Sequence, residues 1–469
     1  MNEVENTSVK PSRWLPVLLA VAIFMQMLDA TILNTALPAI AKDLNESPLN
    51  MQSAVIVYSL TVALLIPLSG YLVDRFGTKK VFLYAIAVFM AGSLLCAVAP
   101  NLTALVVARA VQGVGGSMLV PVPRLTILRV YDKSQLLNAI NYAVMPALIG
   151  PVLGPLVGGY LVEYATWHWI FLLNLPIGLI GLLLGLKIMP DVRGERSVLD
   201  LGGFLLFASA ACALTLAVDI ISHPNSAKFS LLMACGGAAL LWLYARHAKT
   251  HPNPLYAGNL FQVRTFRLGL SGNLFSRLGI SSVPFLLPLL FQVAFGYNAS
   301  LSGWLLVPIA LASLLVKPAI KPMMARFGYR RVLVWNTRLL AVLIILLAAP
   351  GAQTPAWLWV VLLFAMGTCN SVQFSAMNTL TLADLRGYQT GSGNSLMAVN
   401  QQLAIGLGIA VGALMLQLWT KSSIGQANLH TAFRLTFLGI GLITLASSFI
   451  FSRLHTSDGN NLTVKSKSA

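Results

Sequence analysis

Apolar residues occur along this chain in long unbroken blocks, and polar residues gather in short stretches between them. Runs such as Ile180 to Leu186 and Leu339 to Ala349 lack the period-two alternation of half-buried strands or of a transmembrane barrel. A helix needs about 20 mostly apolar residues to cross a bilayer. Inside lipid every backbone donor and acceptor must be paired within the protein, which helices do locally. The pattern predicts an all-α integral membrane protein with fourteen spans, at 14–40, 51–73, 80–98, 102–128, 136–162, 169–188, 199–220, 229–247, 268–292, 300–322, 330–349, 356–381, 391–418 and 430–453. The block at 268–292 is interrupted by Pro284 and Pro288. Lys10 and Arg13 precede the first block in the manner of a signal peptide, but the block is too long for one and reads as a retained span.

Composition agrees with this pattern. Of 469 residues, 57% are hydrophobic and 10% charged, against about a quarter charged in soluble domains. The net charge of +17 does not imply nucleic acid, because the bases are scattered singly between apolar blocks and form no basic face. With the N-terminus inside, twenty-three of the 31 Lys and Arg residues fall on inner tails, loops and helix ends. Three, Lys42, Lys228 and Lys421, fall in outer loops. Positive charge marks the cytoplasmic side, so both termini are expected there, which requires an even number of spans. Cys96, Cys212, Cys235 and Cys369 all lie in apolar runs without metal-ligand spacing and read as packing residues. No metal site is expected.

One segment recurs. Residues 70–80 read GYLVDRFGTKK and residues 321–331 read KPMMARFGYRR, each with Arg-Phe-Gly and then a basic pair after an even-numbered span. The spacing suggests two duplicated halves of six spans, 1–190 and 265–469, with two inserted helices and linkers over 191–264. Paired halves of this kind place a substrate site between them. No nucleotide-binding P-loop is present and no water-facing stretch is long enough for an ATPase, so transport would be secondary.

Four motifs carry a family resemblance that covers nearly the whole chain. LDATILNTALP runs from Leu28 to Pro38. Gly70, Asp74, Arg75, Gly77, Lys79 and Lys80 form a second motif, in which Thr78 replaces a usual basic residue. In its second copy Lys321 replaces the glycine and Ala325 the acid. Arg109, Gln112, Gly113, Gly115 and Gly116 form a third, and Gly150, Gly154, Pro155, Gly158 and Gly159 a fourth. Together with Trp167 to Phe171, these resemble the fourteen-span drug:proton antiporter branch of the major facilitator superfamily. The resemblance implies two six-helix bundles plus two central helices. It implies export of small amphipathic or cationic molecules such as drugs across the bacterial inner membrane, driven by a proton gradient with no other cofactor. A monomer is expected to suffice.

Asp29 is the one acidic residue near the middle of a span. A charge at bilayer depth costs about 2.5–3.5 kcal/mol on insertion scales and usually marks function. Asp29 reads as the proton-coupling carboxylate or as half of a structural ion pair, with Arg109 of similar depth as partner. By resemblance, Arg109 takes part in the proton relay. Asn34, Gln112, Arg277, Asn378 and Asn400 are candidate substrate-cavity residues, although the asparagines equally suit helix-to-helix hydrogen bonds. Gly70, Asp74, Arg75, Gly77 and Lys79 are a candidate conformational gate, by resemblance a latch on the helix end near Gly391. Gly150, Gly154, Pro155, Gly158 and Gly159 form a candidate close-packing stripe. A rival function is export of one endogenous metabolite, siderophore or peptide. A sensor or membrane enzyme on the same fold is a further class, disfavoured by the lack of a regulatory domain or catalytic cluster.

Overall fold

The computed structural model describes residues 12–132, 135–136, 138–140, 142–143, 148–194, 198–221, 226–385 and 389–463. Every regular element among them is helical. The first half holds α1 (Leu15–Asp43), α2 (Gln52–Leu65), α3 (Leu68–Phe76), α4 (Thr78–Ala97), α5 (Leu102–Gly116), α6 (Pro121–Val130), α7 (Gly150–Tyr164) and α8 (Asn174–Ile188). A central pair follows, α9 (Leu201–Ile220) and α10 (Ala227–Thr250). The second half holds α11 (Arg264–Ile280), α12 (Val283–Leu289), α13 (Ala299–Leu315), α14 (Lys317–Phe327), α15 (Tyr329–Leu346), α16 (Ala356–Leu382), α17 (Gln389–Lys421) and α18 (Leu429–Ser452).

Ten helical stretches among the described residues are long and apolar enough to cross a membrane, or up to twelve if each of two bent pairs is one span. Fourteen were expected. The difference lies at two places. The predicted span at 136–162 falls partly outside the described residues, leaving α7 short. In α15, Arg330, Arg331 and Arg338 interrupt the apolar run. The block at 268–292 becomes α11 and α12 followed by a π-helical turn, Leu290–Ala294, with Pro284 in the first turn of α12 and Pro288 inside it.

The sequence repeat is a structural repeat. α2 and α3 meet at 57°, and α13 and α14 at 56°. Pro67 precedes α3 and Pro318 opens α14. A proline has no N–H to give the preceding turn, so each break costs little there. Both arms end on a glycine with positive φ, Gly77 at 88° and Gly328 at 75°. That left-handed conformation penalises any side chain.

The halves meet along three seams, where α1 packs on α12, α2 on α17, and α7 on α13. One apolar core crosses both halves on the predicted outer side, joining Leu37 and Trp167 to Phe291 and Trp359. On the predicted inner side the core separates into a cluster around Phe82 and Phe89, mainly of the first half but joined by Val399 of α17, and a second-half cluster around Leu333 and Phe451. The central pair is tied in by hydrogen bonds. Gln52 donates to Asp219 at 2.9 Å. Asp200 accepts from the Gly203 and Leu255 amides and pairs with His247 at 2.8 Å. Leu231, Leu232 and Trp242 of α10 face outward, as expected of lipid contact.

Candidate functional site

Four helices of the first half converge on Asp29. α1 supplies the carboxylate, α5 supplies Arg109 and Gln112, α4 supplies Ser93, and α8 begins with Asn174. Arg109 donates to Asp29 Oδ2 at 2.7 Å, a charge-assisted bond. Gln112 and Asn174 donate to Oδ1 at 2.8 and 3.0 Å. Both amides also reach Ser93 Oγ, at 2.8 and 3.3 Å. Arg109 further donates to Gln112 Oε1 and to the Ala54 carbonyl, and its guanidinium lies 4.1 Å from the Tyr58 ring centre. Asp29 and Arg109 are each 1% exposed. The desolvation cost of two ions is offset here because both Asp29 oxygens and the Arg109 Nε and Nη1 groups meet partners. In this conformation the carboxyl group is sealed from water.

Ser93 and Asn174 are missing from the sequence-level reading. Asn174 left a signal, as the only amide in the apolar run from Trp169 to Ile180. Ser93 left none, being small and common in helix interfaces.

A separate cavity of about 300 Å³ lies between the halves, bounded by α1 and α7 on one side and α11 to α14 and α16 on the other. Asn34 and Arg277 line it, together with Lys317, Ser313, Asn370 and Phe374. The other three predicted cavity residues are engaged elsewhere. Gln112 belongs to the Asp29 cluster. Asn378 accepts from Gln401 at 2.6 Å and from Asn273 at 3.4 Å, and Asn400 donates to the Leu270 carbonyl.

The glycine stripe explains how closely α7 packs on both α1 and α13. Gly150, Gly154 and Gly158 present one face to α1, where an added Cβ would meet Leu28, Thr31 and Ile32. Gly159 and Pro155 face α13: a Cβ on Gly159 would overlap the Ala299 carbonyl, and one on Gly303 would overlap that of Pro155. In lipid there is little hydrophobic force between helices, so close backbone approach supplies the attraction. Pro151 sits in the first turn of α7, and Pro155 lies inside it. The seam is capped where Glu163 accepts the Ser300 amide at 2.9 Å. Hydrogen bonds from Ser300 lower the Glu163 pKa, favouring its charged form.

In the loop motif, Asp74 pairs with Arg129 of α6 at 2.5 Å, within its own half. A Cβ on Gly391, the expected docking point, would meet open space, and so would one on Gly70. Lys79 donates to the Leu186 carbonyl near the end of α8. Arg75 is exposed and donates to the Tyr71 hydroxyl. A Cβ on Gly77 would overlap Asp191. The one inter-half side-chain bond from α6 among the described residues runs from Arg124 to Asn394 at 3.2 Å.

Comparison with known proteins fits this architecture. The family model described as Major Facilitator Superfamily matches residues 19–245 and 269–467. A protein of Haemophilus influenzae named "Probable transport protein HsrA" is 44% identical over 94% of this chain and 96% of its own. A protein of Pectobacterium atrosepticum named for multidrug resistance, MdtD, is 42% identical over the same shares. Among solved structures, a D-xylose-proton symporter aligns with a TM-score of 0.69 at 13% identity, covering 95% of this chain and 98% of that one. A POT family peptide transporter aligns with a TM-score of 0.66 at 14% identity, over 94% and 98%. The duplicated bent arms, the cavity between two helical halves and these matches lead to one conclusion: this chain belongs to the Major Facilitator Superfamily and is a multi-pass membrane transporter.

Proposed function

We propose that the protein is a proton-coupled antiporter that exports small molecules by alternating access. The observation that carries this reading is the separation of two sites, a sealed carboxylate–guanidinium cluster in the first half and a cavity between the halves. Both are contacted by α1, which sends Asp29 into the cluster and Asn34 to the cavity. Rocking of the halves about the α7–α13 seam would move α1 and change the surroundings of Asp29. Water reaching the cluster in the other state would let Asp29 take up a proton and release Arg109. The loop motif, with Asp74 on Arg129 here, would exchange partners during the same motion.

The remaining parts of the proposal follow from the charge pattern and the family. The protein lies in the bacterial inner membrane with both termini cytoplasmic. Fourteen spans are arranged as halves 1–190 and 265–469 around an insertion, 191–264, and the monomer is the working unit with the proton gradient as its energy source. The names of relatives favour drugs as cargo. The second reading, export of a defined metabolite, is favoured by the modest cavity and its two cationic side chains.

The test uses energised everted vesicles with a pH-sensitive dye. Proton release is followed on adding ethidium, tetraphenylphosphonium or 4-hydroxybenzoate. At least one compound should release protons with the parent protein and none with Asp29→Asn, while that variant still exchanges labelled cargo across the bilayer. Undiminished proton release by Asp29→Asn would refute the assignment of Asp29.

A further inference from the structure

The charges that face the cavity are of one sign. Arg277 and Lys317 line it, and no carboxylate stands among its described lining residues. Neither cation forms an ion pair among the described residues. Arg277 is held by its Nε, which donates to Asn273 Oδ1 at 2.7 Å, and its guanidinium lies 5.0 Å from the Phe374 ring centre. That leaves the two terminal nitrogens of the fork for a ligand, in the geometry that suits an oxyanion. Asn34 adds a second requirement. It is 9% exposed, lines the same cavity, and its Oδ1 has no hydrogen-bond partner. Leu148, Leu306, Ile309, Leu314 and Phe374 make the rest of the wall largely apolar. Asp29, the carboxylate that would attract a cationic drug, has both oxygens occupied inside the first half.

We infer that the cargo is a small amphipathic organic anion. Its acid group would bind Arg277 and Lys317, its apolar body would pack on Phe374 and the aliphatic wall, and a hydroxyl or amide donor would reach Asn34. The cavity of about 300 Å³ is at the lower end for drug-sized ligands, which excludes large conjugates. Two uncompensated cations would also repel a cationic compound, so the site selects by exclusion as well as by attraction. This inference rests on the transporter reading of the cavity and specifies its cargo.

The test uses the full chain in vesicles of zwitterionic phosphatidylcholine, so that no anionic lipid headgroup can occupy the site. Binding of labelled 4-hydroxybenzoate and 1-naphthoate is measured by equilibrium dialysis and their movement into sealed vesicles under an imposed pH gradient by filtration, with tetraphenylphosphonium as the cationic comparison. Both anions should bind, 4-hydroxybenzoate gaining from its hydroxyl bond to Asn34, and that gain should vanish in Asn34→Leu. Arg277→Gln and Lys317→Gln should each weaken anion binding by about tenfold or more, as expected for loss of one charged hydrogen-bonding partner. Arg277→Lys should recover part of it, and Lys228→Gln, in the first turn of α10 and away from the cavity lining, should change nothing. Lys317 is exposed, so its variant is expected to fold even if the one at Arg277 does not. Failure of both anions to bind, or equal binding in Lys317→Gln, would overturn the inference. A cation that binds and moves in response to a pH gradient while the anions do not would overturn it and leave the transporter reading intact. Failure of every probe to cross the vesicle membrane with folded protein would count against the transporter reading itself.

Discussion

The Asp29–Arg109 pair allows a quantitative test of whether the cluster acts as one unit. Removing one partner of a buried ion pair costs about 3–5 kcal/mol, because the other is left charged and dry. In Arg109→Met, Asp29 would keep its bonds from Gln112 and Asn174, which places the loss at the low end, about 3 kcal/mol. Asp29→Asn keeps the side-chain volume and an acceptor, and leaves Arg109 with Gln112, the Ala54 carbonyl and the Tyr58 ring. Its cost should be about 2 kcal/mol, the worth of a hydrogen bond to a charged group. The double variant buries no lone charge, so it should cost about 2–3 kcal/mol in place of the sum of about 5. The coupling would then be about 2–3 kcal/mol. The assay is reversible unfolding of the purified protein in mixed micelles by added dodecyl sulfate, followed by tryptophan fluorescence. Additivity within about 0.5 kcal/mol would mean that the two charges do not sense each other. The proposal that a proton on Asp29 releases Arg109 would then fail.

Two further tests address the moving parts. Gly77→Ala and Gly328→Ala both place a side chain at positive φ, which should cost about 1–2 kcal/mol each. Gly77→Ala should be the more damaging because its Cβ would also overlap Asp191, whereas that of Gly328 meets open space. Equal falls in melting temperature would refute the steric account. Gly303→Val should wedge α13 away from the Pro155 carbonyl and shift the population towards an outward-open state. A Ser300→Cys reporter in a background without the native cysteines should then react with an impermeant maleimide about tenfold faster or more. Unchanged labelling would show that the α7–α13 seam does not control outer access.

Much of this protein was legible before any tertiary structure. The apolar blocks mark where helices run, because a bilayer leaves the backbone few other options. The repeated Arg-Phe-Gly marks two arms that end in the same left-handed turn, since glycine is the residue that tolerates it. The sequence also places Asp29 and Arg109 at compatible depths, because a helix rises by a fixed 1.5 Å per residue. Depth says nothing about azimuth. Helices that are apolar all round carry no amphipathic stripe to show which side faces a neighbour. Only packing could therefore put Gln112 on Asp29 and not in the cavity, bring Asn174 and Ser93 into the same cluster, and tie Asn378 and Asn400 to neighbouring helices. The 56° bend between α13 and α14 likewise puts Lys317, which along the chain looks like one more inner-side charge, on the cavity wall.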